Sequence, residues 1–258
     1  MPRLLFIALT IALILSQPYP LCAATLEEID QKLQSAETSA DLLGVETLIR
    51  ESQKQTSASS DLDWRLAKTY YKLARESSRI PRKKYFSLCV EQADQAIGLD
   101  NKSVGGYFFK GLCLGKLGEV DGIWSSLGVI KPLKKNMETA MKLDPVFEQG
   151  GSHRALGKMY HELPALLGGS LDKSLEYLKE AVKLGPKHAE NYFYLAETYT
   201  TRKEYTLAKA ALDTLLDLTK ESSHDHDIHS LREESRELLK KINKYLDSGS
   251  NAKGTENP

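Results

Sequence analysis

The sequence has no excess of charge of either sign. Lys plus Arg and Asp plus Glu each number 35, so the formal net charge is zero. A protein dedicated to nucleic acid normally carries a marked basic excess, clustered on one face or along one helix. The charge balance therefore predicts that nucleic acid is not a partner.

Cysteine is scarce, with three residues in a chain of 258. Cys22 falls in a leader segment, which leaves Cys89 and Cys113 in the body of the protein. Two cysteines are too few for the dense framework of a small disulfide-stabilised domain. Since no C-x-x-C motif is present, redox chemistry is not indicated. A structural disulfide between Cys89 and Cys113 and a pair of buried thiols are both open.

Long apolar runs are absent except for Leu4–Leu15 (LLFIALTIALIL). Twelve residues are too few to span a bilayer as a helix but suit the apolar part of a secretory signal. We expect a signal peptide over residues 1–24, cleaved after Ala24, and a periplasmic or secreted protein without a membrane span. The bulky residues at positions 19–21 disfavour lipid anchoring at Cys22.

No residue pattern typical of catalysis or of a cofactor site is visible. Gly111-x-x-x-Gly115-Lys116 is one residue shorter between its glycines than a phosphate-binding loop and lacks the following Ser or Thr. The stretch His224–His229 (HDHDIH) is the one dense group of metal-ligating residue types, and we interpret it as a solvated linker. The sequence predicts a protein that is not an enzyme and has no cofactor and no metal.

The chain does contain a repeated helical pattern. Three helix ends read alike, as AIGLDN (96–101), AMKLDP (140–145) and AVKLGP (181–186). An upstream partner helix carries a small residue in each unit, and these residues are Ala67, Gly111, Gly157 and Ala196. The pattern resembles the tetratricopeptide repeat, a helix pair of about 34 residues. This resemblance implies an all-α superhelix that binds another molecule.

The repeats divide the mature chain into four regions. We predict capping helices over 25–56, an array of about four helix pairs over 57–222, a C-terminal capping helix over 223–246 and a disordered tail over 247–258. Capping helices are expected because the terminal units of a solenoid would otherwise expose their packing faces.

The first three units are longer than the ideal repeat. The distance between the small residue of the first helix and its counterpart late in the second is 19 residues from Ala196 to Leu215 but 29 from Gly111 to Ala140. We expect the additional residues to form apolar loops along one rim, where a partner could cover them. The candidate rim residues are Trp124, Pro164, Gly168 and Gly169.

Two glycine-rich elements support a narrower resemblance. Gly150-Gly151-x-His153 and Pro164-x-x-x-Gly168-Gly169, within residues 105–216, are similar to the T-component of TRAP transporter systems. The resemblance implies a periplasmic helical-repeat protein that works beside a solute-binding protein. The chain departs from that family because it lacks a good lipidation signal.

Repeat geometry predicts the residues of a concave groove. Positions i, i+4, i+7 and i+8 of each first helix face inwards. The candidates are Trp64, Lys68, Tyr71, Lys72, Phe108, Lys116, Arg154, Lys158, His161, Phe193 and Glu197. Their basic and aromatic character favours a protein partner with an acidic peptide, or another anionic ligand; alternatively the charges only keep the helices soluble.

His153 and His161 either orient a polar ligand or pack in the array. The oligomeric state is left open.

Overall fold

The computed structural model describes residues 23–220 and 226–253, and these residues form eleven α-helices, one 3-10 turn and no strand. The all-α prediction is therefore confirmed. Three ranges lie outside the described residues. They are positions 1–22 of the predicted leader, positions 221–225, which include the first two residues of the His-rich stretch, and positions 254–258. The helices are α1 (Leu26–Ser35), α2 (Ser39–Gln55), α3 (Ser60–Arg75), α4 (Arg79–Leu99), α5 (Val104–Asp121), α6 (Ile123–Leu143), α7 (Phe147–Glu162), α8 (Leu171–Leu184), α9 (Ala189–Thr201), α10 (Tyr205–Leu218) and α11 (His226–Lys253).

Helices α3 to α10 form four consecutive helical hairpins. The first helix of each hairpin also contacts the first helix of the next, so α3 meets α5, α5 meets α7 and α7 meets α9. This stacking places α3, α5, α7 and α9 side by side along one wall of a superhelix. Helices α1 and α2 pack against α3 at one end, and α11 packs against α9 and α10 at the other. The tetratricopeptide-type superhelix is thus confirmed.

The small residues that define the repeat are core residues. The alanines among them are fully buried, namely Ala67, Ala96, Ala140, Ala181 and Ala196. At Gly157 a Cβ atom would lie 2.5 Å from Cγ of Leu178, so α7 and α8 approach more closely there than any side chain would allow. The repeat pattern therefore records where paired helices touch.

A disulfide joins Cys89 on α4 to Cys113 on α5. Both residues are fully buried in the apolar core. Of the two alternatives that the sequence left open, the structure contains the disulfide, which links the first helical hairpin to the second.

The expected apolar loops exist in one unit only. The extra residues of the first two units lengthen helices instead, since α4 and α6 have 21 residues each whereas α8 and α10 have 14. The prediction of loops there was wrong. Helical continuation satisfies the backbone hydrogen bonds internally and lets Ile130 and Leu133 pack against the core, where a loop would expose them. The third unit keeps its loop, with the 3-10 turn Ala165–Leu167.

The C-terminal helix is longer than expected. We predicted a helix over 223–246 and a disordered tail after it, but α11 continues to Lys253. No proline lies between Pro186 and Pro258, so nothing in the covalent chain forces the helix to end at 246. Among the residues that the structure describes, no helix is both long and apolar enough to cross a bilayer.

Candidate functional site

The wall of first helices lines a concave groove with a volume of about 1770 Å³. Helices α3, α5, α7 and α9 form its floor, the start of α4 and part of α6 form one side, and the first turns of α11 close one end. Most of the predicted groove residues do line it, because the helical spacing placed them on the inward side of each first helix. These residues are Trp64, Lys68, Tyr71, Lys72, Phe108, Lys116, Arg154, Lys158 and Phe193.

Two predicted groove residues do not line it. The ring nitrogen Nδ1 of His161 lies 3.0 Å from the hydroxyl of Thr198, so this side chain joins α7 to α9. Glu197 lies one turn beyond Phe193 on α9 and interacts electrostatically with Glu162 and Glu234. Among the predicted positions, the inward stripe therefore ends at Lys158 on α7 and at Phe193 on α9, and α11 packs on α9 at this end of the array.

The groove has an aromatic floor. The Trp64 indole stacks on Phe109 with ring centres 6.3 Å apart, and Phe147 meets Trp64 edge-on at 5.7 Å. Phe108 contacts Phe147 at 5.5 Å, and Tyr71 contacts Phe109 at 6.3 Å. These side chains come from α3, α5 and α7. Trp64 and Tyr71 line the groove and are half-buried, Phe108 and Phe109 line it but are buried, and Phe147 packs against them without lining it.

Most of the predicted groove cations are engaged inside the protein. Lys68 pairs with Glu148 at 2.5 Å, and Lys158 pairs with Glu162 at 3.4 Å. Arg154 pairs through Nε with Glu190 at 3.4 Å. The interpretation of this row as open anion-binding charge is therefore not supported by the geometry. Sequence periodicity placed these side chains correctly but could not reveal their partners.

The remaining two predicted cations are also engaged. Lys72 donates from Nζ to the carbonyl of Leu33 at 2.8 Å, at the C-terminal end of α1. Lys116 pairs with Glu119 one turn further along α5, at 2.8 Å. A cation at a helix C-terminus stabilises the helix dipole, so Lys72 contributes to the fold.

Glu190 is the centre of the charged cluster in the groove. Its carboxylate lies 3.4 Å from Arg154, 3.7 Å from Arg75 and 3.5 Å from Nε2 of His188. Burial alone would raise the pKa of Glu190, but the contact with His188 and the charges of Arg154 and Arg75 outweigh it and hold the pKa well below its usual value. Glu190 therefore stays ionised and fixes both arginines.

Four important groove residues were not predicted from the sequence. Arg75 lies one turn beyond Tyr71, and Glu190 lies one turn before Phe193, so a longer helical stripe would have found both. Arg79 and Arg82 belong to α4, the second helix of its hairpin, where the inward stripe gives no signal.

The predicted rim residues have local structural roles. Gly168 has φ of +91°, which favours glycine, and a Cβ at Gly169 would lie 1.7 Å from the carbonyl of Leu163. Pro164 precedes the 3-10 turn, in which Leu166 is fully exposed. None of these residues lines the groove. Trp124 is the second residue of α6, and its side chain lies outside the described residues.

His153 packs within the array. It is 9% exposed, and its ring lies 6.1 Å from that of Tyr177 on α8. Burial lowers the pKa of His153, so the neutral imidazole is favoured. In the described part of the chain, no three His, Cys, Asp or Glu residues are grouped so as to hold a metal ion.

The raised pKa of Glu197 leads to a first testable prediction. Burial and the negative charges of Glu162 and Glu234 raise the pKa of Glu197 from 4.5 to about 7, against the lowering effect of Lys158. Between these values the unfolded chain loses the proton that the folded chain keeps, so stability falls as pH rises through this window. Glu197→Gln is expected to increase the free energy of unfolding at pH 8 by about 1–2 kcal/mol, less than the full linkage value because water reaches part of the side chain.

Urea denaturation at pH 4.5 and at pH 8 measures this effect. The same substitution at the exposed Glu176 on α8 is the matched control. A loss of stability in Glu197→Gln at pH 8 would contradict the conclusion that burial and nearby negative charges destabilise the ionised form of Glu197.

Two family models match the chain. The model described as "Regulator of microtubule dynamics protein 1-3" matches residues 25–162, and the model described as "TRAP transporter T-component" matches residues 121–245. The second agrees with the resemblance drawn from the glycine-rich elements of the third unit. The first covers more than half of the chain.

Curated relatives extend these matches. "Regulator of microtubule dynamics protein 1" of Bos taurus is 24% identical over 237 residues, covering 84% of this chain and 73% of the relative. The protein of the same name from Pongo abelii is 24% identical over 232 residues, covering 83% and 70%.

A thermophilic TPR protein of Thermus thermophilus has a similar fold, with a TM-score of 0.62 and 19% identity over 83% of this chain and 99% of that one. Helical-repeat folds of this type present binding surfaces and are typically non-catalytic. Since the first family model matches more than half of the sequence, the chain belongs to the regulator of microtubule dynamics protein 1-3 family.

Proposed function

We propose that the protein binds a segment of a partner protein in its concave groove and acts as an exported scaffold or adaptor. The observation that carries this proposal is the size and lining of the groove. Its volume of about 1770 Å³ exceeds the roughly 300–1,000 Å³ of typical small-molecule pockets. The half-buried aromatic side chains of Trp64, Tyr71 and Tyr194 line it, and large aromatic side chains are the usual anchors of protein interfaces.

Export is part of the proposal and is supported by the first 24 residues of the sequence alone. The short apolar run and the small residues at its end suit a cleavable leader. The mass of the chain recovered from the envelope fraction of its host should correspond to a start at Thr25. Recovery of an uncleaved chain from the cytoplasm would contradict export and leave the groove proposal intact.

A groove-blocking substitution tests the binding site. Val129 lies half-buried on α6 and lines the groove, whereas its neighbour Gly128 is exposed, lies outside the groove and has no atom near its Cβ direction. Val129→Arg places a long charged side chain in the groove and is expected to reduce partner retention at least about tenfold, a loss of about 1.4 kcal/mol. Gly128→Arg adds the same charge outside the groove and should retain the partner.

Quantitative mass spectrometry of proteins retained from an envelope extract measures this difference. Equal retention by the wild-type chain and Val129→Arg would show that the groove is not the binding site. Equal loss in both variants would trace the effect to added charge instead of to the groove.

Accessory function in a TRAP-type transport system is the second candidate. It is favoured by the match of the T-component model to residues 121–245. Specific retention of a periplasmic solute-binding protein, lost in Val129→Arg, would support this candidate over a general scaffold.

The names of the curated relatives suggest a third candidate function, with a different partner. The bovine relative is named as a regulator of microtubule dynamics. Transferred to this chain, such a role would make tubulin or a microtubule-bound protein the occupant of the groove. Co-sedimentation of the purified chain with polymerised tubulin tests that transfer. Binding to polymerised tubulin would conflict with the proposal that the protein is exported.

A further inference from the structure

Two arginines that line the groove differ from its carboxylate-paired cations, which are Lys68, Arg75, Lys116, Arg154 and Lys158. Arg79 and Arg82 lie at the start of α4, are exposed, and line the mouth of the groove. Within residues 23–220 and 226–253, no carboxylate lies within ion-pair distance of either guanidinium group. Arg82 donates from Nε to the carbonyl of Ser77 at 3.0 Å, which orients its side chain and leaves its charge uncompensated.

The deeper groove charges are compensated. Lys68, Lys158 and Arg154 pair with Glu148, Glu162 and Glu190. An incoming carboxylate would have to displace these partners, and it would gain little from doing so. Arg79 and Arg82 therefore carry groove charge that no carboxylate of the described residues pairs with.

The start of α4 adds to this potential. Ser78 precedes the helix without a side-chain capping hydrogen bond, and the first turn contains no acidic residue. The N-terminal end of a helix carries partial positive charge, which acidic residues usually offset. Here Arg79 and Arg82 reinforce it, whereas the exposed Lys84, further along the same helix, does not line the groove.

The apolar part of the groove begins beside this mouth. Val120, Val129 and Leu133 line the groove in the neighbouring hairpin, and Lys83 of α4 pairs at 2.7 Å with Asp121, the residue after Val120. A bound segment that places charge at the mouth can therefore place apolar side chains on the floor. A flat bilayer surface would not reach both, because the floor is concave.

We propose that Arg79 and Arg82 bind a short acidic stretch of the partner protein, whose adjoining apolar residues lie on the aromatic floor. This inference rests on the proposed function and specifies the partner class: a peptide segment with neighbouring Asp or Glu residues next to large apolar ones. Charge-assisted hydrogen bonds from the two guanidinium groups orient the segment in the groove.

Selection of peptides tests the inference. Random 12-residue peptides displayed on phage are selected for binding to the immobilised full chain. The chain is purified from its host in the form in which the host produces it. Recovered peptides are then labelled with fluorescein and titrated by anisotropy. Two or more Asp or Glu residues beside Leu or Phe are expected in the recovered sequences. Binding should weaken about tenfold in Arg79→Glu/Arg82→Glu and change less than about twofold in the control Lys84→Glu.

The outcomes separate this inference from the proposed function. Peptides that depend on Val129 but lack acidic residues, or bind Arg79→Glu/Arg82→Glu unchanged, would overturn the acidic-segment inference and leave groove binding standing. Recovery of no peptide sensitive to Val129→Arg would overturn both. If Arg79→Glu/Arg82→Glu instead abolished sedimentation with phosphatidylglycerol-containing vesicles and no acidic peptide was recovered, the partner would be a membrane surface and the inference would be wrong.

Discussion

Replacement of Asn191 by alanine is expected to lower the free energy of unfolding by about 3–4 kcal/mol. Asn191 is fully buried, and its amide nitrogen lies 2.9 Å from the carbonyls of Ala181 and Gly185 and 3.2 Å from that of Gln149. Its carbonyl oxygen accepts a hydrogen bond from Arg154 at 2.9 Å. Alanine would remove all four hydrogen bonds of this side chain, while the carbonyls of Ala181 and Gly185 keep the backbone N–H groups of Gly185 and His188.

The backbone beside Asn191 increases the expected cost. Glu148, Gln149 and Gly150 have φ values of 50°, 55° and 77°, a left-handed conformation that is unfavourable for the first two. Asn191 holds the Gln149 carbonyl in place, and Glu148 presents its carboxylate to Lys68 across the groove. Strained backbone of this kind persists only where surrounding contacts enforce it.

Urea denaturation of Asn191→Ala measures the loss, with the exposed Asn101→Ala as the matched control, which should change stability by less than about 0.5 kcal/mol. A loss below about 1 kcal/mol would contradict the role assigned to Asn191.

Replacement of Cys89 and Cys113 together by alanine is expected to cost about 3 kcal/mol of stability. The disulfide closes a segment with a sequence separation of 24, and cross-linking such a loop reduces the entropy of the unfolded chain by about this amount. Alanine is chosen because both positions are fully buried in apolar surroundings, where burying a hydroxyl is costly.

Thermal denaturation with and without dithiothreitol checks the disulfide. The wild-type midpoint should fall on reduction, whereas the double alanine variant should be insensitive. Thiol titration of the unfolded, unreduced chain should detect neither Cys89 nor Cys113. Two reactive thiols and an unchanged midpoint would show that these residues are buried free cysteines.

Much of the fold could be predicted from local pattern. The recurring small residues, such as Ala140 and Ala181, mark helix contacts because only a small side chain fits where two helices approach closely. The inward stripe of α3, from Trp64 to Lys72, follows from the 3.6-residue period of a helix. These features depend on residues near one another in the chain, so sequence spacing was sufficient.

The lengthened helices show where spacing failed. Ala140 follows Gly111 by 29 positions, and this excess over the ideal 19 is compatible with a loop. A longer α6 accommodates the same residues, because its side chains can pack against α5. Sequence distance counts residues but does not distinguish a loop from extra helical turns.

By itself, the sequence determined the helical hairpins, their small-residue contacts and the side of each helix that faces the groove, because helical periodicity and side-chain volume act locally. Only the tertiary structure decided which groove charges are available to a partner. Lys68 and Glu148 are 80 residues apart in the chain yet form an ion pair, whereas Arg79 and Arg82 face the same groove from a different helix. Electrostatic interactions depend on distance in space, and that distance is set by how the repeats stack.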